Sequence, residues 1–165
     1  KLNEAIEKLE AGQVVGVPTD TVYGFACLDF AIDKIYELKG RDRDKKIIRM
    51  ISKKEMLNVR DQDLLKLMNE VWPGQTTLIF DYEGSMESFR IPKEENLLNL
   101  LSEVKKPLYV TSANESGETA CLTKEEFEIR FPNVPLLEEV LECSKSNTPS
   151  KILLYNNCDD IIQIR

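Results

Sequence analysis

The 165-residue chain has no histidine. That absence removes the Ser-His-Asp and Cys-His nucleophile systems and the commonest zinc ligand, so any catalysis must rest on positioning, charge stabilisation, carboxylates or a bound metal. Cysteine is sparse: Cys27, Cys121, Cys143 and Cys158 stand far apart with no C-x-x-C pair, which argues against a zinc knuckle or redox motif and leaves free thiols. No apolar run approaches the roughly 20 residues that span a bilayer, and Lys1-Leu2-Asn3-Glu4 lacks the apolar core of a signal peptide. The expectation is a cytoplasmic protein with no membrane partner. Walker A, G-x-G-x-x-G and G-x-S-x-G motifs are missing too, so a phosphate site would have to be assembled from side chains and isolated turns. There is no repeat, linker or low-complexity tract. At 42% hydrophobic and 31% charged residues the composition is neither disordered nor fibrous, and the length fits one domain over residues 1–165.

Charge is distributed unevenly. The net charge is −7, yet residues 39 to 54 hold eight basic against two acidic side chains, a local balance of +6 that leaves −13 on the rest. Positive charge gathered in one stretch of an acidic protein is how a phosphate site or a nucleic-acid edge appears in sequence, and a solvated basic face is the plainer alternative.

Hydrophobic spacing places the elements. Leu2, Ala5, Ile6 and Leu9 predict a helix over 2–11 with Gly12 beyond its end, followed by a strand at Gln13 to Val17. Thr21 to Leu28 reads as extended, and Ile32, Ile35, Tyr36 and Leu38 mark a helix ending at Gly40. A strand at Ile47 to Ile51 precedes a capping-box pattern, Ser52 to Glu55, for a short helix. Leu64, Leu65, Met68, Val71 and Trp72 form the next apolar stripe, stopped by Pro73-Gly74, with Trp72 read as core. Strands follow at Thr76 to Tyr82 and Ser88 to Ile91, then a helix through Leu97, Leu98, Leu101 and Val104, and a strand at Leu108 to Thr111. Thr123 to Glu126 opens another helix, residues 131–150 are open between helix and loop, and Ile152 to Tyr155 with Ile161 to Ile164 read as a closing hairpin. Strands mixed irregularly with helices predict an α/β domain on a mixed sheet.

Polar groups recur at the strand ends: Thr19-Asp20-Thr21, Lys39 and Arg41, Arg90, Ser112 and Asn114, and Ser150. Ligands in open α/β sheets sit at such ends, so these could converge on one site. The ordered series Pro18-Thr19-Asp20-Thr21-Val22-Tyr23-Gly24, Lys39-x-Arg41 with Asp44-Lys45, Trp72-Pro73-Gly74 into Thr76-Thr77-Leu78, Arg90-x-Pro92 and Thr111-Ser112-Ala113-Asn114-x-Ser116-Gly117 resembles the YrdC/TsaC family from about Ala11 to Arg165. The resemblance implies a YrdC-like open twisted sheet of parallel and antiparallel strands flanked by helices, in a short form without an extra C-terminal domain. It implies threonylcarbamoyl-adenylate synthesis from L-threonine, bicarbonate and ATP, with Mg2+ on the phosphates, as the step before t6A formation on tRNA by pathway transferases.

Position by position, the resemblance puts Thr21, Arg90 and Ser150 on the threonine side. It puts Lys39, Arg41 and Lys45 on the ATP phosphates, with Lys39 and Arg41 as the catalytic cations, and Ser112, Asn114 and Arg165 on the nucleotide. Each has a structural alternative: Thr21 as a strand residue, Arg90 as a surface ion pair, Ser112 with Asn114 as an ordinary turn, and Thr19 with Asp20 as loop-shaping groups. The chain departs from the family pattern at Asp42, Lys46-Ile47 and Met50, and the stretch Phe25 to Ala31 is shorter than usual. Two other activities fit the same residues. One is a module that binds tRNA or double-stranded RNA through the basic run, and the other is a carbamoyl-adenylate enzyme with a different acceptor amine.

Overall fold

The structure, a computed structural model, describes residues 2–19, 22–137 and 150–165. Its helices are α1 (Leu2–Glu10), α2 (Ile32–Lys39), α3 (Gln62–Val71), α4 (Glu95–Val104) and α5 (Lys124–Arg130). The strands are β1 (Val15–Pro18), β2 (Tyr23–Cys27), β3 (Arg49–Met50), β4 (Thr76–Tyr82), β5 (Ser85–Arg90), β6 (Leu108–Ser112), β7 (Lys151–Asn157) and β8 (Asp160–Gln163). They form one open sheet in the order β1-β2-β6-β3-β5-β4-β7-β8. The pairs β3–β5 and β4–β7 are parallel and the other five antiparallel, which is the expected α/β fold on a mixed sheet.

Local chemistry explains most boundaries. Gly40 ends α2 in the left-handed region (φ 59°), where a residue without Cβ is least strained. Asp61 caps α3 by accepting from the amides of Asp63 and Leu64, and Thr123 caps α5 by accepting from Glu126. Two expectations are corrected. The strand foreseen over Ile47 to Ile51 shrinks to Arg49–Met50, because Ile47 instead packs into the core beside α2. The capping box foreseen at Ser52 is not formed: Lys54–Met56 is a single 3-10 turn, and the Ser52 hydroxyl bonds to the Met56 sulfur at 3.2 Å. Of the ambiguous stretch after residue 130, Leu136 makes a parallel bridge to Gly16, while residues 138–149 lie outside the described part.

Register fixes what each face presents. Ala26, Val110, Leu108 and Met50 lie on one face, where α1 and α4 bury Ala5, Leu9, Leu97, Leu100, Leu101 and Val104 against them. Full burial of each large aliphatic side chain is worth about 1.5–3 kcal/mol. The opposite face carries Phe25 and Cys27 under α2 and α5, and Leu78, Phe80, Phe89 and Leu153 under α3. Helix cover on the first face is concentrated over β1, β2 and β6. Further across, the same face of β3, β5, β4 and β7 borders a cavity.

Candidate substrate cavity

That cavity holds about 730 Å³, in the range of small-molecule sites. Its sheet-side lining is aliphatic, from Met50, Ile79, Val110 and Ile152, interrupted by Thr77, Ser88 and Arg90. These three polar residues share the face because side chains alternate: Ser88 and Arg90 are two apart on β5, Ser88 pairs with Ile79, and Thr77 pairs with Ile152. Around the rim stand Thr19, Arg41, Lys46, Ser112, Ser150 and Arg165. The lining therefore carries four cationic side chains and, among the described residues, no carboxylate. On a chain of net charge −7, such a wall favours anionic ligands.

Each cation is braced by carbonyl groups. Arg41 donates from Nε to Lys45 O (3.2 Å) and from Nη2 to Lys46 O (3.0 Å), and Tyr36 donates to the same Lys45 carbonyl. Lys46 donates to Met86 O (2.8 Å) and Glu87 Oε1 (3.0 Å). Burial raises the Glu87 pKa, but hydrogen bonds from Ser85 and Lys46 and the charges of Lys46 and Arg49 outweigh it and hold the carboxyl below its ordinary value. Arg90 is only 4% exposed and donates from Nη1 to Gly74 O at 3.1 Å, while the Gly74 amide bonds to Ile91 O. The Pro73-Gly74 stop thus also buttresses the arginine. Arg165 donates to Ser150 twice, from Nε to its carbonyl and from Nη2 to its hydroxyl, both at 2.9 Å, and Thr77 Oγ1 lies 3.5 Å from that hydroxyl.

Arg41, Arg90, Ser112, Ser150 and Arg165 are thus brought to one cavity. Lys39 and Asn114 are not on its wall. Lys39 is 3% exposed, and its ammonium points into the Ser112–Asn114 turn, donating to Ser112 O (2.7 Å), Asn114 O (3.0 Å) and Asn114 Oδ1 (3.0 Å). Burial, helped by the Arg41 guanidinium, pulls its pKa down to about 8. Lys45 is exposed on the loop, and Thr21 lies outside the described residues. Thr19, one of the strand-end polar groups marked in the sequence, lines the cavity, and Lys46, Thr77, Ser88 and Thr119 line it without having been singled out as ligand-binding. Ser88 and Thr77 lie in strands of mixed polar and apolar sequence, SMESFR and TTLIFDY, so composition did not single either out. Among the described residues no group of three or more Cys, Asp or Glu side chains is placed to hold a metal ion.

Comparison with known proteins extends the geometry. The family model for Sua5, YciO and YrdC proteins, described as telomere recombination, matches residues 7–162. A rat protein named threonylcarbamoyl-AMP synthase is 31% identical over 165 residues, which span 90% of this chain and 58% of the rat protein, so the chain spans little more than half the length of that relative. A Yersinia enterocolitica protein of the same name is 31% identical over 156 residues, 82% of each chain. The crystal structure of P. abyssi Sua5 complexed with L-threonine superposes with a TM-score of 0.84 at 21% identity, covering 99% of this chain and 53% of that one. With its sheet, its cavity and a family match over nearly its whole length, the chain belongs to the Sua5/YciO/YrdC family.

Proposed function

We propose that this chain is an L-threonylcarbamoyl-adenylate synthase, which converts L-threonine, bicarbonate and ATP into threonylcarbamoyl-AMP and pyrophosphate. The observation that carries this reading is the set of Arg41, Arg90 and Arg165 on one cavity wall with no acidic side chain among its described residues, which suits a substrate pair bearing one carboxylate and one triphosphate. The relatives' name, threonylcarbamoyl-AMP synthase, supports threonine over another amine. In the proposed reaction the threonine amine adds to bicarbonate with loss of water, giving an N-carboxylate. One oxygen of that group attacks the α-phosphorus of ATP. A new P–O bond forms as the bond to the α,β-bridging oxygen breaks, and that electron pair leaves with pyrophosphate.

The side chains supply position and charge. Arg90 pairs with the threonine carboxylate through a bidentate fork, with Ser150 beside it and Thr21 assigned to the same side by its motif. Arg41 offsets negative charge gathering on the departing pyrophosphate, Lys45 is assigned to the same end by its motif, and Ser112 and Arg165 hold the nucleotide. No protein nucleophile is required, because proximity and fixed cations supply the acceleration. A magnesium ion, if bound, would be held chiefly by the ATP phosphates and water and would supply further positive charge to the leaving pyrophosphate. The product is consumed by a transferase that carries its threonylcarbamoyl group to tRNA.

The RNA-binding alternative draws less support from the basic run. Lys39 is buried, Arg43 pairs with Asp33, Lys46 with Glu87 and Lys54 with Glu55, and Arg49 lies between the Phe89 and Tyr109 rings. The proposal is tested by pyrophosphate release from ATP with the pure protein. Release is expected to require threonine and bicarbonate together, and release indifferent to them overturns it.

A further inference from the structure

We infer that Lys39 is a positioning residue, which fixes from behind the Ser112–Ser116 turn in which Asn114 holds the Ser112 hydroxyl as a hydrogen-bond acceptor facing the cavity, instead of contacting phosphate itself. The functional consequence rests on the nucleotide-binding reading above; the positioning role does not.

The chain of constraints starts at Asn114. Its Nδ2 donates to the carbonyls of Glu115 and Glu118, both at 2.9 Å, so the amide orientation is set and Oδ1 must face the other way. There Oδ1 receives the Lys39 ammonium at 3.0 Å and the Ser112 hydroxyl. An amide oxygen has only lone pairs to offer, so Ser112 spends its proton on Asn114 and presents lone pairs elsewhere. Phosphate oxygens also accept, whereas a ribose hydroxyl, an amine or a bound water can donate to Ser112. Lys39 meanwhile directs all three of its donors at oxygens of the turn, and its own carbonyl accepts from the Ser116 amide at 2.7 Å. Both its side chain and its main chain therefore tie the end of α2 to residues 112–116. Arg41, two residues on, is the cation of this motif that reaches the cavity.

The test has a ligand-free arm and a ligand arm, each run on the wild type, Lys39→Met and Lys39→Arg. Without nucleotide, backbone hydrogen exchange over residues 112–118 is expected to accelerate in both variants while α3 and α4 keep wild-type protection. An arginine fork cannot place three donors on three converging oxygens, so retained charge should not rescue the turn. Unchanged protection over 112–118 in either variant, or acceleration spread through α3 and α4, overturns the inference. With AMP, ADP and ATP as probes, both variants are expected to lose affinity by one common factor on the order of 10, the scale of one charge-assisted hydrogen bond. A loss that grows from AMP to ATP in Lys39→Met, or full ATP affinity retained by Lys39→Arg, marks direct phosphate contact and overturns it. Should the wild type bind none of the three nucleotides, the proposed function falls while the exchange arm still decides the role of Lys39.

Discussion

Arg90 brings a full charge into a place that is 4% exposed, with a backbone carbonyl at 3.1 Å as one of its partners. It also lines the cavity, and under the proposed function its guanidinium is the group that pairs with the threonine carboxylate there. Arg90→Gln is therefore expected to raise the threonine KM by about 10–100-fold, the worth of one charged hydrogen-bond pair, with the ATP KM changed far less. Initial rates across a threonine series check this, and equal loss for both substrates counts against it. Gly16 shows the opposite constraint, in which a side chain is excluded. A Cβ there would lie 2.4 Å and 2.8 Å from the Phe127 ring and 2.9 Å from Leu136, all within the packed core. Gly16→Ala is expected to cost about 1–3 kcal/mol by overpacking, read from urea midpoints at unchanged m-value. The motif sequence marks Gly24 without explaining it; in the sheet an added Cβ would meet the Thr111 carbonyl at 2.9 Å, so β2 and β6 approach as they do because that residue has none.

At the level of elements, α3 is held at its N-terminus by a single carboxylate. Asp61 Oδ1 accepts from the Asp63 and Leu64 amides at 3.0 and 3.2 Å, while Oδ2 accepts from the Tyr155 hydroxyl of β7 at 2.8 Å. The Tyr155 bond, followed by the two amides, holds the Asp61 pKa below its ordinary 3.8 even though burial opposes this. A carboxyl with a depressed folded pKa stabilises fully above the unfolded value and loses that contribution as pH falls through the folded one. Asp61→Ala is accordingly expected to cost about 1 kcal/mol near pH 7, and the gap to wild type should narrow on acidification below pH 4. Urea titrations at a series of pH values follow it, and a gap that widens on acidification would sink the linkage. The cap was legible in the sequence only in hindsight, because Asp61 does not precede a Glu or Gln at the spacing that signals a capping box. Thr123 carries that spacing and does cap α5; Ser52 carries it too and does not, because its turn is too short and the Met56 sulfur takes its hydroxyl.

For the whole molecule the decisive fact is which half of a sheet face the helices cover. β8 ends the sheet with Ile161 and Ile162 exposed by 42% and 49%, and Ile164 just beyond it by 56%. An exposed apolar edge strand is a template for pairing between chains, so Ile162→Lys is expected to reduce concentration-dependent light scattering while moving stability by no more than about 0.5 kcal/mol. Scattering that does not rise with wild-type concentration, or that the lysine leaves unchanged, counts against β8 as a pairing edge.

Sequence by itself determined the helices, the strand alternation and the absence of histidine chemistry, because these depend on periodicity, propensity and composition, all local properties. It also marked Arg41, Arg90 and Ser112 through an ordered series of motifs, and Ser150 and Arg165 through the wider family resemblance. Only the tertiary structure decided that these five line one cavity, since they come from loops and strands far apart in the chain and meet through sheet register. It also separated Lys39 from Arg41. Two cations in one short motif look alike as letters, and the turn of chain after α2 sends one behind the Ser112–Asn114 turn and the other to the cavity wall.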